Sequence, residues 1–160
     1  MAARSSLFDP YRTFKFRVRL DQQVIAGVNK VSALARSVAA SELKQGGDFL
    51  GSYQSPGFVS YEDVTLEQGW SADRALEDWA DQALRLHLDP AGAARFKRTV
   101  TIDVYALDGN ARSAQAAPVT SYRLQRCWVS RFVAMPELNA DDGGVGIRSV
   151  TLKHEGWQRT

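Results

Sequence analysis

The sequence predicts a mainly β fold with one α-helix, an antiparallel β-barrel or sandwich, and three observations lead there. Period-two alternation recurs. Phe14, Phe16, Val18 and Leu20 alternate with Lys15, Arg17 and Arg19, and Val100, Ile102, Val104 and Ala106 alternate with Thr101, Asp103 and Tyr105. Turn clusters separate such runs. Only one stretch, with Leu76, Trp79, Ala80, Ala83, Leu84 and Leu88, has helical spacing. Roughly six or seven antiparallel strands with one apolar face each must close into a barrel or stack as a sandwich to hide that face.

In order along the chain, residues 1–12 read as an N-terminal arm, with Asp9-Pro10 favouring an extended start. A single domain follows over 13–157. Its first strand begins at Thr13. A turn at Asp21-Gln22-Gln23 leads to a second strand, Val24 to Val31, and Val38 to Leu43 is a candidate third. Gln45-Gly46-Gly47-Asp48 and Ser55-Pro56-Gly57 are turn signals, so 33–58 reads as a long polar loop. Loops of that length in compact domains are commonly functional. Ser60 to Gln68 alternates as a strand, with Val64, Leu66 and Gln68 on one face. A helix over 73–88 follows, capped by Ser71 or Asp73, with Glu77 and Asp78 near its positive end and Pro90 and Gly92 beyond its stop. Asp108-Gly109-Asn110 is a hairpin signal, and Ala111 to Pro118, low in bulky residues, lengthens the tip. Thr120 to Phe132 is a long return strand, and Gly146 to Glu155 closes the domain.

Composition narrows the function classes. The 160 residues suffice for one domain with a real core. No apolar run approaches the roughly 20 residues of a membrane span, so no membrane insertion by the monomer is expected. Met1 to Pro10 lacks the apolar core of a secretory signal, which leads to an expectation of cytoplasmic synthesis. A single cysteine excludes an internal disulfide framework. A net charge of +2 is too balanced for a dedicated nucleic-acid binder. Residues 1–60 carry 8 Lys/Arg against 4 Asp/Glu, and residues 61–160 carry 12 against 14, an asymmetry that could assist self-association.

The sequence offers little chemistry, and no catalytic, metal or cofactor site is expected. His87 and His154 are far apart and neither has the ligand spacing of a metal site. Cys127 follows Arg126, but strand neighbours point to opposite faces, so a buried structural cysteine is the simpler reading. Asp141-Asp142-Gly143-Gly144 lacks the calcium-loop spacing and reads as a turn. Gly143-Gly144-Val145-Gly146 opens no helix, so it is not a dinucleotide fingerprint. Asp78 and Asp81 lie on the polar helix face, and Arg95-Phe96-Lys97-Arg98 is too brief to define a phosphate-binding surface. Lys15, Arg17 and Arg19 form a linear basic stripe that could line a channel, meet an acidic neighbour or simply face water.

A series of motifs runs across Asp9 to Trp157. Asp9-Pro10-Tyr11-Arg12 leads into Phe14-x-Phe16-x-Val18, then Ala26-Gly27-Val28-x-Lys30-Val31-Ser32-Ala33-Leu34. Glu42-x-x-x-Gly46-Gly47-Asp48 and Ser55-Pro56-Gly57 follow, then Val64-Thr65-Leu66-Glu67-Gln68-Gly69 and Leu76-Glu77-Asp78-Trp79. Arg126-Cys127-Trp128-Val129-Ser130, Met135-Pro136-Glu137-Leu138 and Val150-Thr151-Leu152-Lys153-His154-Glu155-Gly156-Trp157 complete the series. In this order the motifs resemble the T4-type tail tube protein family, the inner tube of contractile phage tails and related injection systems. The chain departs from the family's pattern at Ala39-Ala40-Ser41, at Tyr53-Gln54 and in the length of Ala111–Pro118.

The resemblance implies a structural subunit of hexameric rings stacked into a hollow tube, without catalysis or cofactor. Its partners would be further copies of itself, a sheath protein, baseplate or hub proteins and tube-terminating proteins. The lumen would pass protein cargo in a bacterial injection system, or DNA in a phage tail; a baseplate-proximal adaptor is a related role. Arg12, Glu42, Gly46, Gly47, Asp48, Tyr53 and Pro56 would then contact neighbouring subunits or rings, and Lys15, Arg17 and Arg19 would face the lumen or an interface. A small ligand-binding β-barrel predicts instead an enclosed apolar pocket in a monomer. An enzyme would require a convergent cluster that the sequence does not display.

Overall fold

The computed structural model describes residues 15–43, 46–47, 53–86, 88–89, 95–105, 117–141 and 143–160. Arg12, Asp48, His87, Pro90, Gly92 and the Asp108–Asn110 hairpin signal lie outside the described residues.

Ten strands and one helix are described, more strands than the alternation alone indicates. They are β1 (Lys15–Leu20), β2 (Gln23–Ile25), β3 (Val28–Val31), β4 (Arg36–Leu43), β5 (Tyr53–Tyr61), β6 (Val64–Gly69), α1 (Ala75–Arg85), β7 (Arg98–Tyr105), β8 (Thr120–Val133), β9 (Ile147–Lys153) and β10 (Trp157–Arg159). The main sheet runs β2-β1-β7-β8-β9-β6-β3, with β10 also on β8, and every pairing is antiparallel.

The two ends of that order, β2 and β3, are consecutive in the chain. The sheet must therefore roll through most of a circle to bring its edges together, giving a barrel-like sandwich whose last seam is not a strand ladder. Residues 24–31 were expected as one strand. They are two because Gly27, at φ +75°, turns the chain where a side chain would be strained. The Gln68 amide donates to the Ala26 carbonyl at 2.6 Å, and Gly69 N–H donates to the Gly27 carbonyl at 3.1 Å. These bonds fasten the seam.

β8 serves both halves of the roll. Its first part pairs with β7, and its second part, Trp128 to Val133, pairs with β9. β9 and β10 lie along one edge of β8 as a single partner interrupted at residues 154–156. At that interruption β8 has a bulge, with Leu124 opposite Val100 but Cys127 opposite Arg98, and Arg126 there adopts φ +51°. Gly156, at φ +144°, bends the facing strand at the same level, and Gln125 N–H donates to its carbonyl at 2.9 Å. β10 was not anticipated; it is a three-residue continuation of β9 beyond this corner.

The core collects the inward residues of both halves, including Val18, Leu20, Val64, Leu66, Val100, Leu124, Val129, Val150 and Leu152. The helix is shorter than the expected 73–88. Its N-cap is Arg74, which makes no side-chain cap bond, and the Asp73 carboxylate just ahead of it accepts from Ala75 N–H at 2.9 Å. Leu76 and Trp79 enter the core, and the Trp79 indole N–H donates to the Phe96 carbonyl at 2.7 Å. Trp79→Ala removes both the packing and that bond. Urea unfolding is expected to show a loss of about 4 kcal/mol, and a loss below about 1 kcal/mol would contradict the central role given to this side chain.

Candidate assembly site

The expected 33–58 loop is instead largely a β-hairpin. Among the described residues, β4 and β5 pair only with each other, apart from the main sheet. Ser55-Pro56-Gly57 lies inside β5. Proline is tolerated there because an edge strand need not donate on its outer side. Gly57 admits close approach, since a Cβ there would come within 3.0 Å of the Ala39 carbonyl oxygen. The register shifts at this point, between Val38 and Ala40. The expected strand from Ser60 to Gln68 is broken at Glu62-Asp63, where Glu62 N–H donates to the Ala35 carbonyl at 3.1 Å.

The hairpin is held at its base. Arg36 lies over the Trp157 ring at 5.3 Å, Tyr61 meets the His154 ring at 5.6 Å, and the Ser37 and Ser60 hydroxyls are 2.7 Å apart. Counted from that base, the eight residues of β4 span about 26 Å at strand spacing. The apolar side chains Val38, Tyr53, Phe58 and Val59 are exposed, Phe58 by 91%. An isolated two-stranded hairpin is marginal in water, and a free edge carrying apolar side chains favours pairing with another chain. Glu42, Gly46, Gly47, Tyr53 and Pro56 all sit on this exposed arm.

The basic stripe is not free charge. Arg19 forms a two-pronged pair with the fully buried Asp103, at 2.7 and 3.0 Å, and the Ser121 hydroxyl donates to the same carboxylate at 2.6 Å. Arg17 lies 3.8 Å from Asp103 and 5.2 Å above the Tyr105 ring. Burial pushes the Tyr105 phenol up, against the lowering influence of Arg17. Lys15 and Arg123 extend the same sheet face. Asp103 alternates with apolar residues and so reads as solvent-facing in sequence. Arginines from a strand 84 residues earlier cover it. Removing one partner of a buried ion pair leaves the other charge uncompensated, so Asp103→Ala is expected to lower unfolding free energy by about 3 kcal/mol. An unchanged chemical-denaturation midpoint would contradict this.

A third surface is an open groove of about 670 Å³ between α1 and β8. Leu84 and Leu86 line the helix side, with Phe96, Trp128 and Phe132 opposite. Past Cys127, β8 has a described partner only on its β9 side, so the edge from Trp128 to Val133 that faces the groove is unpaired among the described residues.

No group of three or more potential metal ligands occurs among the described residues. Cys127 is fully buried, and that burial pushes its thiol up to about 12, so it stays protonated at neutral pH. His154 offers Nε2 to the Glu62 carbonyl at 2.9 Å, and Asp141 lies in a turn. Asp78 is exposed on the helix, and Asp81 borders the groove. Lys97 pairs with Glu155, which also holds Arg126 at 2.8 Å. Sequence reasoning missed this corner clamp. Its signal was the Glu-Gly pair ending the closing strand.

Hydrogen bonds from Lys97 and then Arg126 hold the Glu155 carboxyl below its ordinary value. A carboxyl lowered on folding contributes stability above its unfolded pKa, near 4.3, and loses it as pH falls through the folded value. Glu155→Gln should therefore melt below wild type at pH 7, with the gap closing on acidification below about pH 4. A gap independent of pH would exclude this charge as its source.

Solved structures share this fold, and they define its class. A chain of the extracellular contractile injection system PVC sheath-tube complex, in its extended state, superposes with a TM-score of 0.74 at 17% identity, covering 96% of this chain and 93% of that one. A chain of the anti-feeding prophage tube terminating cap gives 0.74 at 16%, covering 100% and 99%. One from the anti-feeding prophage baseplate gives 0.71 at 20%, covering 94% and 95%. No curated protein matches the chain. The chain thus shares its fold with components of contractile assemblies. The model of the family described as T4-like virus tail tube protein gp19 matches residues 12–158, and the chain belongs to that family, one of structural tube proteins.

Proposed function

We propose that this chain is the inner-tube subunit of a contractile injection system, forming hexameric rings that stack into a hollow conduit for cargo. Family membership over 12–158 carries the reading. The fold similarities to components of the PVC and anti-feeding prophage assemblies support an injection system over a DNA-conducting phage tail. The β4–β5 arm supports it independently. It is a strand pair that a monomer leaves uncovered, and a repeating head-to-tail interface would cover it. Sheath, baseplate and tube-terminating proteins are the further partners this role requires, and protein is the cargo. The subunit is made in the bacterial cytoplasm and acts as part of the particle, with no catalytic step of its own.

Negative-stain electron microscopy with sedimentation across a concentration series tests this. Rings or stacked tubes, appearing as concentration rises, are expected. A species that stays monomeric at every concentration would contradict the reading and favour a ligand-binding barrel.

A further inference from the structure

Resting on the tube reading, we infer that the groove between α1 and β8 is the receptor for the β4–β5 hairpin of a second copy. Each surface lacks what the other supplies. The groove has an unpaired strand edge, Trp128 to Val133, beside an apolar wall of Leu84, Leu86 and Phe96. The hairpin has two outer edges unpaired among the described residues, and Phe58 is its most exposed apolar side chain. An extended segment that adds to a free edge gains main-chain hydrogen bonds, while its alternate side chains fill adjoining pockets.

Charge complementarity selects the same occupant. Arg131 borders the groove, is exposed, and has no ion-pair partner among the described residues. Glu42 on β4 is likewise exposed and without an ion-pair partner among them. The other cation at the groove, Lys97, is already held by Glu155. The hairpin carries few charges besides Glu42, so it enters an apolar groove with little desolvation cost, and Arg131 can orient it. A protrusion and a receptor on different faces of one chain make a heterologous contact, which propagates instead of closing a two-fold dimer.

The test is residue-specific cross-linking in the full chain. Phe58→Cys combined with Leu84→Cys, assembled and oxidised, should give a ladder of linked subunits on non-reducing gels. Either single variant should give no ladder. Cys127, buried and protonated, adds no background. Glu42→Lys and Arg131→Glu should each raise the concentration needed for assembly at least tenfold, and the two together should restore it. Both sites are exposed, so melting temperatures of the unassembled variants should match wild type. Tubes that form without a ladder, or charge variants that assemble like wild type, would overturn this contact and leave the tube reading standing. A wild type that forms no tubes would remove the reading on which the contact rests.

Discussion

The structure depends on the corner in β8. A sheet that must roll until its first and last strands meet needs a place where paired strands can turn together. Arg126 in the left-handed region and Gly156 opposite it supply that place. A non-glycine residue at positive φ is unfavourable. The conformation persists because its surroundings fix it. Glu155 grips Arg126 and Lys97 from the facing strand, backbone bonds tie Gln125 to residues 155 and 156, and Cys127 enters the core immediately afterwards. Without the bulge, β8 would continue straight and could not pair with β7 in one half and lie along β9 in the other.

The same corner determines what remains open. Because β7 leaves β8 at Cys127, the rest of β8 has one edge unpaired among the described residues, beside which α1 forms an open groove. β3 is an edge of the main sheet, and the chain between β3 and β6 leaves that sheet and pairs with itself as β4–β5. By contrast, on the face carrying Arg17 and Arg19 the Arg19 guanidinium is already held by Asp103, whose carboxylate also accepts from Ser121, which suits a wall more than a docking point. The hairpin and the groove both carry exposed apolar side chains, Val38, Tyr53, Phe58 and Val59 on the one and Leu84 on the other, that an assembled neighbour could cover.

Much of this was legible in the sequence wherever one face is buried and the other is not. β1, β6 and β7 alternate cleanly, and Leu76 with Trp79 marks the helix. The hairpin was not legible. Its strands bury little in the monomer, so they lack the alternation that burial imposes, and Gly46-Gly47 and Pro56-Gly57 read as loop punctuation. The break at Gly27 was hidden because apolar residues flank it on both sides. Asp103 illustrates a different limit. A polar residue at a polar position of an alternating strand looks solvated, and nothing local discloses that Arg19 covers it. The resemblance to tail tube proteins implied a contact role for the 33–58 segment, which residue patterns alone described only as a long loop.

The central claim is that two incomplete surfaces in the subunit are completed by neighbouring copies. Backbone hydrogen–deuterium exchange, compared between unassembled subunits and assembled tubes, tests it most directly. The account predicts that amides of β4–β5 and of the Trp128–Phe132 edge exchange rapidly in the subunit and become protected together on assembly, while β7 is slow in both states. Protection of the hairpin already in the free subunit, or assembly that leaves both segments unprotected, would contradict it.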